Sequence, residues 1–148
     1  MNVITSFSAK RREKEMKYEK KLLKDLSLNM LKKSVQQNFY KWRIQGGFLM
    51  EEGFEEACFD VAIEAFLLGG KFSKFGFHGG TYEEAKVRCQ SDIYYLTETL
   101  YNFILYWEKI GLSSNIDESI YYACEQYIHY WWSEGYNKGI RRYKLRLH

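Results

Sequence analysis

The sequence predicts an all-α protein: one domain over residues 1–148, built as a bundle of about four helices with an aromatic-rich core and a long third helix. Three observations carry that expectation. The 148 residues contain no proline, the residue that most strongly interrupts helices because it lacks a backbone N–H and clashes with the preceding turn. They contain 4 Trp, 13 Tyr and 10 Phe, large apolar bodies suited to packing long helices together. Glycines punctuate the chain at Gly46-Gly47, Gly69-Gly70, Gly79-Gly80 and Gly111, and glycine just past a helix end enters the left-handed conformation without a Cβ penalty. These marks divide the chain into helical segments at approximately 8–45, 50–69, 81–110 and 115–143.

The first segment changes character halfway. Lys10, Lys14, Lys17, Lys21 and Lys24 follow a 4-3 spacing on one side, and the same spacing continues through Leu28, Leu31, Val35, Asn38 and Trp42. Met16, Leu23, Leu26 and Met30 point nearly the opposite way before that change. Either the chain bends near Lys24–Ser27, or residues 1–24 form a basic arm, a half-helix that projects toward a different surface.

The second segment is apolar almost all round, as expected of a central helix. Phe54, Ala57, Cys58, Val61, Ala65 and Leu68 make one face, with Phe59, Ile63 and Leu67 on much of the other. The stretch 71–80, KFSKFGFHGG, reads as a glycine-rich loop whose three phenylalanines tuck over one end of the bundle.

The third segment opens on Thr81-Tyr82-Glu83-Glu84, the form of a capping box with Thr81 as N-cap. Cys89, Ile93, Leu96, Leu100, Phe103, Trp107 and Ile110 then recur at 4-3 spacing, a continuous stripe of near-coiled-coil type. In the fourth segment Ile116, Ile120, Cys124, Tyr127, Ile128 and Trp131 share an inner face. Gly135 and Gly139 extend that face and mark either fraying or a tight contact.

Charge is unevenly placed although the net is only +3. Residues 10–24 hold eight Lys/Arg and three Glu, residues 138–148 hold five basic groups and no acid, and the body between them is acidic by seven. The basic ends serve either internal neutralisation or a surface offered to an acidic partner. Nucleic acid and an anionic membrane surface are further options that no motif supports, and Glu13, Glu15 and Glu19 dilute the field. No stretch approaches the ~18 apolar residues of a membrane span, and the start lacks the apolar run of a secretory signal. Cys58, Cys89 and Cys124 are odd in number and widely spaced, which fits reduced, buried thiols in a cytoplasmic protein.

No residue pattern requires a cofactor. Glu56, Asp60 and Glu64 stand at i, i+4 and i+8 on the second segment, an acidic stripe able to ligate a metal or act as acid and base. Carboxylate-bridged metal sites in bundles use Glu-x-x-His from two helices, which is absent here, so ion pairing with the first-segment lysines is the simpler account. Glu125 and His129 form an i, i+4 pair, read as a surface contact worth a few tenths of a kcal/mol. His78 lies on the glycine-rich loop, where functional residues concentrate, but the loop matches no phosphate-binding pattern.

The stretches KDLSL at 24–28, EACFDVAIEAFLLGGKFSKFG at 56–76 and ACEQYIHYWWSEGYNKGIRRYKLRLH at 123–148 resemble a small protein family of Bacillus and related bacteria, a domain of unknown function. The resemblance runs over nearly the whole length and implies a cytoplasmic protein. It transfers no catalytic residue.

Two readings of function stay open. In the first, a non-catalytic interaction or adaptor module uses Lys10, Lys14, Lys17, Lys21, Lys24, Arg141 and Arg142 to engage an acidic protein or another copy of itself, with 138–148 as a basic tail. In the second, a ligand- or metal-binding bundle, an enzyme in the extreme, uses Glu56, Asp60 and Glu64 with tyrosines and His78 around a pocket.

Overall fold

A computed structural model describes residues 3–44, 52–110 and 118–145. Among them are six helices and no strand: α1 (Val3–Leu23), α2 (Leu28–Ile44), α3 (Glu52–Phe77), α4 (Tyr82–Arg88), α5 (Gln90–Ile110) and α6 (Glu118–Lys144). The all-α expectation holds, but four segments become six helices. The longest are α6, of 27 residues, and α3, of 26.

The first extra helix comes from the turn at Lys24–Ser27, at the change of stripe. Ser27 caps α2, its side-chain oxygen accepting from the Met30 amide at 3.1 Å, a bond that satisfies one orphan N–H of the first turn. The second comes from Cys89, which takes φ −92° and ψ 0° and shares its amide among the preceding carbonyls. That residue divides the expected long third helix into a 7-residue and a 21-residue piece. The N-cap is as expected: Thr81 accepts from the Glu84 amide at 3.1 Å.

Gly69-Gly70 ends nothing. The helix runs through it to Phe77, so most of the expected glycine-rich loop is helical. The stop comes ten residues later, where the Gly80 amide bonds the Phe75 carbonyl at 3.1 Å and the Gly79 amide bonds that of Gly76 at 3.2 Å. This 6→1 and 5→2 pairing needs a left-handed residue, and Gly79 supplies it with φ +107°.

The reason α3 tolerates mid-helix glycines lies in α6. A Cβ on Gly69 would fall on the Trp132 carbonyl oxygen and 2.8 Å from the Tyr136 amide nitrogen, and one on Gly135 would fall on the Phe66 carbonyl oxygen. One turn on, Gly139 faces Ser73, and Gly76 faces the Tyr136 hydroxyl. Tyr127 donates to the Cys58 carbonyl at 2.9 Å nearer the other end. Positions thus rise together along both helices, so α3 and α6 run parallel with backbones in contact. Each glycine costs about 1 kcal/mol of helix propensity; close packing over five turns offsets it.

Around this pair the other helices form two flanks. On one, α2 packs through Phe39, which meets Phe54 edge-on at 5.4 Å and Tyr127 at 5.6 Å. The buried Trp131 indole there donates to Ser34 Oγ at 3.0 Å. On the other flank lie α4 and α5, where Cys89, Ile93, Leu96 and Leu100 of the expected stripe are all buried. The side chains of Trp42, Trp107 and Ile110, and Ile116 altogether, lie outside the described residues. In α6, Ile120, Cys124, Tyr127, Ile128 and Trp131 are buried as expected, and so is Trp132.

Among the described residues, α1 is held to the bundle through Tyr18 and Leu22, near its end. Residues 7–17 are exposed throughout, whereas Leu22 is fully buried in the space that a side chain on Gly70 would take. Tyr18 donates to the Gly70 carbonyl at 3.1 Å. Of the apolar set expected opposite the lysines, Met16 and Met30 are exposed, while Leu26 packs against the core.

Candidate functional site

The C-terminal ends of α1, α3 and α6 converge, and three negative helix poles meet there. Lys20 and Lys21, Lys74, and Arg141, Arg142 and Lys144 occupy the last turns of those helices. Arg142 ties the ends together. It donates from Nη2 to the Lys21 carbonyl at 2.7 Å and from Nε to Asp25 at 3.1 Å. One of the expected interaction residues is thus a structural clamp, and part of the basic C-terminal run serves internal neutralisation. Arg141 is exposed. On α1, Lys10, Lys14 and Lys17 lie in the wholly exposed stretch, Lys24 is exposed in the turn, and Lys21 is half-buried.

The acidic stripe is on the surface: Glu56, Asp60 and Glu64 are all exposed. No ion pair joins them to the α1 lysines among the described residues, so the expected pairing does not explain them. His78 is exposed beyond the end of α3, beside Phe77 at 5.3 Å and Tyr143 at 6.5 Å. The three cysteines are buried and free. Burial pushes the Cys89 thiol up to about 11 and the Cys124 thiol up to about 12. Cys58 is raised well above its ordinary range by burial and then by the neighbouring Cys124. Such thiols are poor nucleophiles at neutral pH. Among the described residues no three His, Cys, Asp or Glu converge as metal ligands, and no helix is long and apolar enough to cross a membrane.

A cavity does exist, on the flank away from α2. Here α4 and α5 run antiparallel to α6: Tyr82 shares a 2.5 Å hydrogen bond with Ser133, and Tyr121 donates to Glu98 at 3.1 Å. Aromatic contacts hold the elements at each end, Tyr82 against Trp132 and Tyr136, and Tyr101 against Tyr121. Between these contacts lies a cleft of about 390 Å³, lined among others by Glu83, Lys86, Ile93, Tyr94, Glu125 and His129. Its volume is within the range of small-ligand sites.

The cleft is rich in hydrogen-bond acceptors. Glu83 and Glu125 line it directly, and Glu98 is bonded to the Tyr121 hydroxyl. The Tyr121 phenol is pushed up to about 12 by desolvation, then by its bond to Glu98 and by the negative field of Glu98, Tyr94 and Glu125. Lys86 is turned along the wall, its Nζ 3.4 Å from the Tyr82 hydroxyl and 5.4 Å from that ring's centre. His129 is held below its ordinary range by burial and then by Lys86, with Glu125 opposing. Its Nδ1 is buried without a hydrogen-bond partner among the described residues. Buried polar atoms of that kind are rare, and each needs a physical reason.

Sequence reasoning had the Glu125–His129 pair but placed it on the surface. The pair sits next to the inner face of α6, and what lies across it comes from α4 and α5. No local pattern connects His129 with Lys86 or Tyr94.

Comparison with known proteins agrees with the resemblance noted above. A family model described as "Protein of unknown function (DUF2521)" matches residues 1–148. A Bacillus subtilis (strain 168) protein described as "Uncharacterized protein YbaK" is 30% identical over 149 residues, covering 99% of each chain. No solved structure matches.

Proposed function

The chain belongs to the DUF2521 family, and from that premise we propose that it is a non-catalytic interaction module whose exposed α1 segment engages an acidic protein surface. One observation carries the reading: α1 is helical from Val3, yet residues 7–17 are all exposed, with Phe7 70% and Met16 52% open to solvent. A helical stretch under about 12–15 residues is marginal in water without packing, so a partner face gives this one a reason to stay ordered.

The chemistry of the stretch selects the partner. Lys10, Arg11, Arg12, Lys14 and Lys17 favour acidic groups. Glu13 and Glu15 between them weaken phosphate attraction and leave room for counter-charges on a protein. Phe7 and Met16 add apolar anchors. In this reading residues 7–17 act as a projecting half-helix, the bundle positions it, and the protein works in the cytoplasm. Self-association is a form of the same mode, since Glu56, Asp60 and Glu64 present exposed acid on α3.

The test is an NMR titration of the full chain with a decaglutamate peptide at low and high salt, with a DNA duplex in parallel. Shifts confined to residues 7–17, lost at high salt and lost in the K10E/K14E/K17E variant, support the proposal. Tighter binding of the duplex, or no response of these residues to the peptide, overturns it.

A further inference from the structure

We propose that the cleft between α4–α5 and α6 is a binding site for an organic ammonium ion with an apolar body, a site separate from the α1 surface. The geometry divides it into an apolar floor and an acceptor-rich wall. Ile93 is buried at the floor, and the Thr97 hydroxyl beside it is already used, donating to the Ile93 carbonyl at 2.9 Å. What remains to meet a ligand there is mainly hydrocarbon and the rings of Tyr94 and Tyr121. An aromatic face attracts a cation through its quadrupole.

The wall contributes Glu83 from α4 and Glu125 from α6. Opposed to them is one cation, Lys86, whose Nζ is engaged at the Tyr82 hydroxyl. The cleft therefore carries net negative charge in partly desolvated surroundings, where an incoming ammonium gains and a carboxylate loses. His129 lines the same cleft, with its Nδ1 buried and without a partner among the described residues. That nitrogen lies beneath the surface, so the three donors of an ammonium go to the groups that line the cleft, the Glu83 and Glu125 carboxylates. An anionic ligand would meet two carboxylates, Glu83 and Glu125, against the single cation Lys86.

The experiment titrates the isotope-labelled full chain with three probes that share one apolar body: phenethylammonium, phenylacetate and 2-phenylethanol. Phenethylammonium is expected to shift the amides of Glu83, Ile93, Tyr94, Glu125 and His129 and the His129 ring. It should bind at least about ten-fold tighter than the alcohol, because charge-assisted hydrogen bonds are the strong ones. Glu125→Gln should remove most of that preference while leaving the circular dichroism unchanged. Glu64→Gln on α3 should leave binding as it was. Because Glu125 is only half-buried, its variant is expected to fold; should it not, Glu83→Gln, at an exposed position lining the same cleft, provides the same comparison. Phenylacetate binding as well as the amine, shifts scattered over the surface, or no response at millimolar probe each overturns the proposal.

Discussion

The two sides of α6 solve opposite problems. Toward α3 it presents Gly135 and Gly139 to Phe66 and Ser73, and the backbones touch. Toward α4 and α5 it presents Tyr121, Glu125 and His129, and the elements stand apart around a cleft, with the His129 Nδ1 buried and unpartnered among the described residues. The first side leaves no room for anything but this chain. The second leaves both space and unused hydrogen-bonding capacity, which a protein keeps at some cost in stability where something else is to bind. Position along one helix does not distinguish the sides. Residue size at the facing positions does.

The largest effect should come from breaking the tight side. Gly135→Val places a branched side chain on the Phe66 carbonyl, and backbone cannot give way as a flexible side chain can. A loss of about 3 kcal/mol or more in urea unfolding is expected. Stability within error of the parent would mean that the α3–α6 contact can open to admit a side chain, and the contrast between the two sides would go with it.

Next in size is the lower end of the same seam, where α6 holds α1. Arg142→Ala removes the donors to the Lys21 carbonyl and to Asp25. Both contacts are partly open to solvent, so about 1 kcal/mol of global stability is at stake. The local effect should be sharper: amide exchange should quicken in residues 18–25 and leave the α3–α6 seam untouched. Uniform acceleration across all helices would show instead that α1 is an integral part of the bundle.

How far the sequence discloses this arrangement differs between the two sides. Period and residue type placed Cys124, Tyr127, Ile128 and Trp131 inside, and Ile93, Leu96 and Leu100 opposite them. Those are local signals, and local patterning survives into the fold. Gly69-Gly70 misled because glycine is ambiguous: it stops a helix when the next residue needs a left-handed turn, and it extends one when a second backbone needs its space. The deciding partner, Trp132, lies 60-odd residues further on. Leu22 and Tyr18 were missed because the lysine periodicity of α1 draws attention to the face that ends up in water. The cleft was invisible for a related reason, since Glu83 and Lys86 meet Glu125 and His129 only through the antiparallel pairing of α4–α5 with α6.

The cleft side can be sharpened through His129. Its neutral form is favoured in the fold, by burial first and by Lys86 on α4 second, against Glu125 on its own helix; Glu83, Tyr94 and Tyr121 complete its surroundings. As pH falls through the unfolded value of about 6.5, the unfolded chain takes up the proton first. Stability should therefore decline with falling pH in that window, and His129 should contribute no slope above it. His129→Phe removes both the titration and the unpartnered Nδ1. It should flatten the slope and raise stability by about 1 kcal/mol at neutral pH. A loss of stability in this variant would show that Nδ1 has a partner in solution, and the cleft would then be as self-sufficient as the seam.

The smallest effect on folding is expected where α1 leaves the bundle. Lys10, Lys14 and Lys17 lie in a stretch exposed from residue 7 to residue 17, so reversing all three charges removes no packing contact. Glu13 and Glu15 lie between them in sequence, and the reversal replaces a basic face with an acidic one. Like charges at i, i+4 cost a helix only a few tenths of a kcal/mol each. Urea midpoints of the triple variant and the parent should therefore differ by less than about 0.5 kcal/mol. A larger loss would mean that these lysines find the acidic body of their own chain, and the basic arm would be a second internal clamp like Arg142.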